Sequence, residues 1–181
     1  VSGNALAISA VENLNGGNAN DTLSFAAFGT ARTIALAGVG TLDGFRLTEA
    51  AFTGIFDNIN ILGGGTGNDT LTGLNVANVW TIGATNQYTS GGRTITFSAI
   101  ETAQGGTVVD TFNINGAATI NLNGGTGDDA FNFSGTSLLT GALNGEGGID
   151  TLSYSTYTNA AIVTFTAAGT DGFNGNATGV S

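Results

Sequence analysis

The chain lacks Cys, Pro, Met and His altogether, and its basic side chains are three arginines, Arg32, Arg46 and Arg93. Without cysteine there is no disulfide and no thiolate metal site. Three cations are too few for a surface that binds phosphate, so nucleic-acid binding is not expected. The net charge of −10 disfavours an anionic membrane surface. No apolar run reaches the roughly 18 residues of a membrane span, so membrane insertion is not expected either.

Glycine and small polar residues make up much of what is present. Glycine accounts for 31 of 181 residues, 41% of residues are hydrophobic and only 9% are charged. That hydrophobic share excludes a disordered chain, and the absence of proline and of a strict glycine period excludes collagen. The length suits one domain or a run of repeats, and we treat residues 1–181 as a single unit.

Aspartate recurs in similar sequence contexts along the chain. The contexts are NANDTLSF, GTGNDTLT, GTVVDTFNI, GTGDDAFNF and GGIDTLSYS, which contain Asp21, Asp69, Asp110, Asp129 and Asp150. The intervals of 48, 41, 19 and 21 residues indicate a unit of about 19–24 residues, with two steps unmarked. We expect Asp43 and the turn at Gly91 and Gly92 to fill those two steps, and we expect about nine coils over the whole chain.

A longer repeat lies over the short one. Residues 14–53 align with residues 143–181. The displacement is 129 positions, as between Asp21 and Asp150, and it falls to 128 after a gap of one residue. The chain thus starts and stops within a pattern. We expect it to be part of a longer array, or to continue into further copies of itself, end to end.

The alternation of residues predicts an all-β fold. Phe112 and Ile114 flank polar Asn113, as Ile120 and Leu122 flank Asn121, and alternation at period two marks a half-buried strand. Short strands could form a sandwich, but equal coils that place the same residues at the same corner favour a β-solenoid. One inward column is expected from the residues two after each aspartate: Leu23, Leu71, Phe112, Phe131 and Leu152.

The stacked aspartates raise the question of a metal. Residues 64–72, GGTGNDTLT, and 124–132, GGTGDDAFN, match G-G-x-G-x-D-x-U-x in full, and this pattern resembles the hemolysin-type (RTX) calcium-binding nonapeptide. The resemblance implies calcium, a hard cation that takes carboxylate oxygens, as the one cofactor. The candidate ligands are Asp69, Asp110, Asp129 and Asp150. Departures at Ala19, Val108 and Glu146 leave the alternative open that each aspartate only caps its own turn.

The wider sequence resembles the β-strand repeats of very large bacterial surface and secreted proteins, of the hemagglutinin or adhesin-like kind. The segments that carry the resemblance are VENLNGG…NDTLSF, LNVANVWTI, FSAIETAQGG…DTFNI and GGIDTLSYSTYTNA…VTFTAAGT. The resemblance implies export to the cell surface and a right-handed parallel β-helix or related solenoid. It implies no particular ligand.

Three classes of function come into question: a structural module, an adhesin segment and an enzyme. The first is a structural module, a rod, filament or scaffold segment outside the cell. The second is an adhesin segment that binds a surface or a glycan. Enzymatic activity is not expected, because no His, Lys or Cys is present and the adjacent Asp128 and Asp129 would point to opposite faces of a strand.

Overall fold

The computed structural model describes residues 10–168 and 172–179 and shows an all-β chain. Within those residues there is no helix that could cross a membrane. The end of the second long repeat, residues 180–181, lies outside the described residues. The first ten strands are β1 Leu14–Asn15, β2 Thr22–Ser24, β3 Thr33–Val39, β4 Phe45–Glu49, β5 Phe56–Ile59, β6 Ile61–Gly63, β7 Thr70–Thr72, β8 Asn78–Ile82, β9 Asn86–Ser90 and β10 Arg93–Ser98. The others are β11 Thr102–Gln104, β12 Asp110–Ile114, β13 Ala117–Thr119, β14 Asn121–Thr126, β15 Ala130–Gly135, β16 Leu138–Thr140, β17 Leu143–Gly147, β18 Thr151–Tyr157, β19 Ala161–Ala168 and β20 Phe173–Gly179.

Two large, mostly parallel sheets contain sixteen of these strands. Sheet one has the order β1-β5-β4-β3-β7-β11-β14-β17, and only β4 runs against the others. Sheet two has the order β2-β6-β10-β9-β8-β12-β15-β18, and only β9 runs against the others. The short parallel pair β13–β16 and the antiparallel hairpin β19–β20 form two further small sheets.

The two sheets correspond position by position, and we call each shared position a level, counted from β1 and β2. At levels one, two and five to eight, a strand of sheet one leads directly into a strand of sheet two. Levels three and four arise differently. The antiparallel meander β3-β4-β5 descends from level four to level two, and β8-β9-β10 descends from level five to level three. The two meanders are therefore staggered by one level.

The expected equal coils are wrong at these meanders. Gly91 and Gly92, with φ of 56° and 72°, form the two-residue turn between antiparallel β9 and β10, and Asp43 lies in the turn between β3 and β4. Neither marks a coil of its own. Residues 10–168 and 172–179 form eight levels, whereas about nine coils were expected for the whole chain.

Inward side chains stack in register into a continuous core. On sheet one the register runs through Ile34, Leu71, Ala103, Leu122 and Leu143. On sheet two it runs through Tyr88, Trp80, Phe112, Phe131 and Leu152. The Trp80 and Phe112 rings lie 5.6 Å apart and nearly parallel, and the Phe112 and Phe131 rings lie 4.8 Å apart.

The single inward column expected from the sequence is therefore correct only for Phe112, Phe131 and Leu152. Leu71 lies on sheet one, because the chain enters a different sheet after Asp69. Leu23 of β2 is opposite Leu62 of β6, and Leu62 is opposite Phe97 of β10. Phe97 is separated from the Phe112 column by the β8-β9-β10 meander. The meander places Ile95, not Phe97, opposite Tyr88, so the register moves by two residues.

Hairpins β3–β4 and β19–β20 occupy equivalent places in the long repeat. In β3–β4 the register shifts between Leu36 and Gly38, and in β19–β20 it shifts between Phe165 and Ala167. Each residue of the second pair lies 129 positions after its counterpart. Their surroundings differ, because β3 and β4 pair within sheet one whereas β19 and β20 pair with each other only.

Candidate functional site

Three of the five repeated aspartates close the turn that precedes their own strand. In each, Oδ2 accepts the N–H of the residue four positions earlier: Gly17 at 2.6 Å for Asp21, Gly65 at 2.5 Å for Asp69 and Gly106 at 2.7 Å for Asp110. A carboxylate that accepts a local backbone N–H stabilises a turn without any ion.

The aspartates of levels six, seven and eight are also linked to one another. The N–H of Asp110 donates to Oδ1 of Asp129 at 2.7 Å, and the N–H of Asp129 donates to Oδ1 of Asp150 at 2.9 Å. Asp129 and Asp150 therefore each satisfy a backbone N–H of the preceding level. We call this series Asp110, Asp129 and Asp150 the aspartate ladder.

Similar links elsewhere in the stack use residues that the sequence repeat did not indicate. The N–H of Arg32 donates to Oδ1 of Asp69 at 2.6 Å, and the N–H of Asp69 donates to Oε2 of Glu101 at 2.7 Å. At levels one and two the N–H of Asp21 donates to Oδ1 of Asn60 at 3.0 Å. Asn60 and Glu101 immediately precede strands, as the aspartates do, and that position is the signal that could have identified them.

Two of the three ladder carboxylates, those of Asp110 and Asp129, are deeply buried. Asp110 is 0% exposed and Asp129 is 1% exposed, and Oδ1 of Asp110 and Oδ2 of Asp129 have no hydrogen-bond partner among the described residues. Burial penalises the charged form and raises the pKa of Asp110 to about 6, although the Gly106 N–H opposes this. Burial also raises the pKa of Asp129, and the nearby charge of Asp150 adds to the rise.

Glycine at the start of each turn lets neighbouring levels approach closely. A Cβ placed on Gly105 would lie 1.8 Å from the carbonyl oxygen of Gly124 and 2.7 Å from Oδ2 of Asp110. A Cβ on Gly64 would lie 1.7 Å from the carbonyl oxygen of Ala99 and 2.7 Å from Oδ2 of Asp69. The double glycine of the motif is thus required by backbone contact between levels.

The four predicted calcium ligands do not lie together. Asp110, Asp129 and Asp150 lie at the starts of three successive strands of sheet two. Asp69 instead lies at the start of a sheet-one strand, beside Glu101. In the described part of the chain, no group of three or more His, Cys, Asp or Glu side chains is arranged to hold a metal ion. Calcium binding stays a prediction, and the buried oxygens of the aspartate ladder that no hydrogen bond occupies are Oδ1 of Asp110 and Oδ2 of Asp129.

The paired carboxylates at 128–129 both bind backbone. Oδ1 of Asp128 accepts the N–H of Ile149 at 2.8 Å, and Oδ1 of Asp129 accepts the N–H of Asp110 at 2.7 Å. These contacts use both carboxylates to join successive levels of the stack.

A second feature is a groove of about 950 Å³ at the level-eight end. Apolar side chains line much of it, with Leu152, Tyr154 and Tyr157 on one side and Leu139 and Leu143 on another. Ile149, at its margin, is 80% exposed. This end therefore leaves apolar surface uncovered among the described residues.

The same part of the first long repeat is filled by aromatic rings. Phe25 and Phe28, which align with Tyr154 and Tyr157, pack with Phe52 and Phe56 at ring-centroid distances of 6.0 to 6.2 Å. Phe56 belongs to β5, the strand that pairs with β1. No described strand pairs in this way with β17, so the groove beside Tyr154 stays open.

No family model matches the chain, and no curated protein or solved structure is significantly similar to it.

Proposed function

We propose that the chain is a β-solenoid of the right-handed parallel β-helix type and serves as a non-enzymatic structural module outside the cell. In this proposal it is a segment of a rod, filament or cell-surface scaffold. The observation that carries the proposal is the pair of eight-strand sheets that share one core and end in strand edges without a described partner.

The interior chemistry supports a structural role. Trp80, Phe112 and Phe131 stack from level to level, and the aspartate ladder satisfies backbone N–H groups at the corners. On the outer faces, Asn132 donates to Asn113 at 3.2 Å and Asn123 donates to Gln104 at 2.9 Å. Buried rings and backbone N–H groups that are satisfied by side chains stabilise a rigid stack.

The proposed absence of enzymatic activity is supported by the same contacts. The sequence has no His, Lys or Cys to act as a base or nucleophile. Asp128 and Asp129 both accept backbone N–H groups, so neither carboxylate is arranged to act on a substrate. The extracellular location rests on the resemblance to bacterial surface repeats.

Negative-stain microscopy and light scattering test this proposal together. Concentrated protein is expected to form unbranched rods of constant width, and the scattering mass is expected to rise with concentration. A monomer at every concentration and ionic strength would contradict the structural role. An experimental structure at side-chain resolution would test the right-handed winding.

An adhesin segment is the second candidate, and the groove at the level-eight end favours it. Tyr154 and Tyr157 line that groove with ring centroids 5.5 Å apart, and exposed aromatic rings can stack on sugars. A glycan array tests this candidate directly. Binding that is lost in Tyr154→Ala and Tyr157→Ala would favour adhesion over a purely structural role.

A further inference from the structure

Three segments of the chain that begin with Leu-Asn-Gly share one spacing. They are LNGGTGDDAFNF at 122–133, LNGEGGIDTLSY at 143–154 and LNGGNANDTLSF at 14–25. In each, the aspartate follows the leucine by seven positions and the next large apolar residue follows the aspartate by two. Turns of equal length can stack on one another without insertion or strain.

The first two segments do stack, at levels seven and eight. Leu122 lies opposite Leu143, and Phe131 lies opposite Leu152. The N–H of Asp129 donates to the carboxylate of Asp150, and the rings of Phe133 and Tyr154 lie 4.9 Å apart. These contacts define the pairing rule for this type of segment.

The third segment lies at level one, at the opposite end of both sheets. Its strands β1 and β2 each pair with one neighbour, and their other edges have no partner among the described residues. The same is true of β17 and β18 at level eight. One chain therefore carries two edges of the same segment type, facing in opposite directions along the stack.

We propose that level eight of one copy pairs in parallel with level one of a second copy. Leu143 then lies opposite Leu14 of the second copy, Leu152 lies opposite Leu23, and the N–H of Asp150 donates to Oδ1 of Asp21. This inference rests on the proposed structural function and specifies its docking surface and register.

The hydrogen-bonding groups at the two ends suit this register. Oδ2 of Asp21 already closes its own turn, and Oδ1 of Asp21 accepts no bond within the described residues. The N–H of Asp150 likewise has no partner there, unlike the N–H groups of Asp110 and Asp129. Docking would extend the aspartate ladder from one copy into the next.

Apolar burial supplies the driving force. Ile149 is 80% exposed at one end, and Leu14 and Val11 are 41% and 59% exposed at the other. Tyr154 would lie over Phe25 of the second copy, as it lies over Phe133 within its own copy. Burying apolar surface of this kind gains about 25 cal/mol per Å².

The β19–β20 hairpin lies beside this surface, since Val163 and Gly175 line the same groove. It pairs with neither large sheet. Its displacement by a second copy would therefore break no strand pairing with either of them.

Charge opposes the docking and gives it a recognisable salt dependence. Asp21 and Glu12 at one end would approach Asp150 and Glu146 at the other, and each copy carries a net charge of −10. Salt shortens the range of such repulsion to about 10 Å at 0.1 M and further at higher concentration, so association should strengthen as ionic strength rises.

Engineered cysteine pairs test the register, and the chain has no native cysteine to interfere. Asn15→Cys with Asn144→Cys, and Ser24→Cys with Ser153→Cys, place opposed residues on neighbouring parallel strands about 4.8 Å apart, within disulfide range. Mild oxidation at high ionic strength should convert both double variants into end-to-end ladders on a non-reducing gel. Asn15, Ser24 and Asn144 are exposed and Ser153 is partly exposed, so thermal unfolding of the variants should stay close to that of wild type.

Exchanged pairs are the matched controls. The exchanged pairs are Asn15→Cys with Ser153→Cys, and Ser24→Cys with Asn144→Cys. Their two cysteines lie on different sheets, so cross-linking should be at least tenfold weaker. Variants with a single cysteine should form no product larger than a dimer. Equal cross-linking of matched and exchanged pairs, or matched pairs that stop at dimers, would overturn the register. Rods without matched cross-links would overturn this docking and leave the proposed function, whereas a monomer throughout would overturn both.

Discussion

At the scale of single residues, the repeated aspartate has two structural tasks. Asp110 closes its own turn through Gly106, and Asp129 accepts the backbone N–H of Asp110. Both tasks place a carboxylate in a buried position, where the charged form is penalised. Stability should therefore depend on pH in a defined direction.

Ionisation of Asp110 should destabilise the fold. Its pKa is about 6 in the folded chain and 3.8 ordinarily, so the folded state binds the proton more tightly. The associated stability is fully present below the ordinary pKa and is lost as pH rises through about 6. We expect the free energy of unfolding to fall by about 1–3 kcal/mol between about pH 4 and pH 7, measured by urea denaturation.

Asp110→Asn removes this titration and should flatten the pH curve. Glu12→Gln removes one negative charge from the exposed first level and serves as the control for net charge. An Asp110→Asn variant that keeps the full wild-type slope would assign the pH dependence to other groups.

A bound calcium ion would reverse part of this effect. If calcium contacts the free oxygens of Asp110 and Asp129, ligand binding stabilises the native state, and chelation should lower the melting temperature at neutral pH. Asp129→Asn should then abolish the response to chelation. No heat on calcium titration and no change on chelation would leave turn capping as the role of these aspartates.

Substitution of Gly105 should be far more costly than substitution of Gly147, a strand glycine with space around it. A Cβ at Gly105 would lie 1.8 Å from a backbone oxygen of the next level, whereas a Cβ at Gly147 finds its nearest atom at 3.7 Å. Overpacking typically costs about 1–3 kcal/mol, and a clash with backbone falls at or above the upper end. Chemical denaturation should show this loss for Gly105→Ala and little change for Gly147→Ala, and equal losses would contradict the close approach.

At the scale of elements, alternation identified strands better than it identified their partners. The segment DTFNI is β12, with buried and partly exposed residues alternating as expected. Pairing is not local, however, and alternation looks the same in parallel and antiparallel strands. The Gly91–Gly92 turn between TS and RTI was a hairpin signal that could have identified β9–β10. The register shift at that hairpin, which moves Leu23 out of the Phe112 column, has no such local signal.

The stacked rings of sheet two should dominate the stability of their elements. Phe131 is 1% exposed and stacks on Phe112 at 4.8 Å, so Phe131→Ala should cost about 3–5 kcal/mol. Phe28, which is 37% exposed, provides the matched control, and Phe28→Ala should cost clearly less. Comparable losses for the two variants in thermal and urea unfolding would argue against a continuous core column.

At the scale of the whole molecule, similar segments lie at the two ends of the stack. Residues 14–25 form level one and residues 143–154 contribute level eight, although 129 positions separate them in the sequence. The sequence predicted the similarity of these segments. The sequence could not place these segments at opposite ends, because their positions depend on the two meanders that form levels three and four.

We propose that this molecule associates end to end rather than acting as an isolated unit. Sedimentation velocity over a wide range of protein concentration, at low and high salt, tests it most directly. We expect the weight-average sedimentation coefficient to grow continuously with concentration, and more steeply at high salt because charge repulsion is screened. A single monomeric boundary at all concentrations, unchanged by salt, would contradict it.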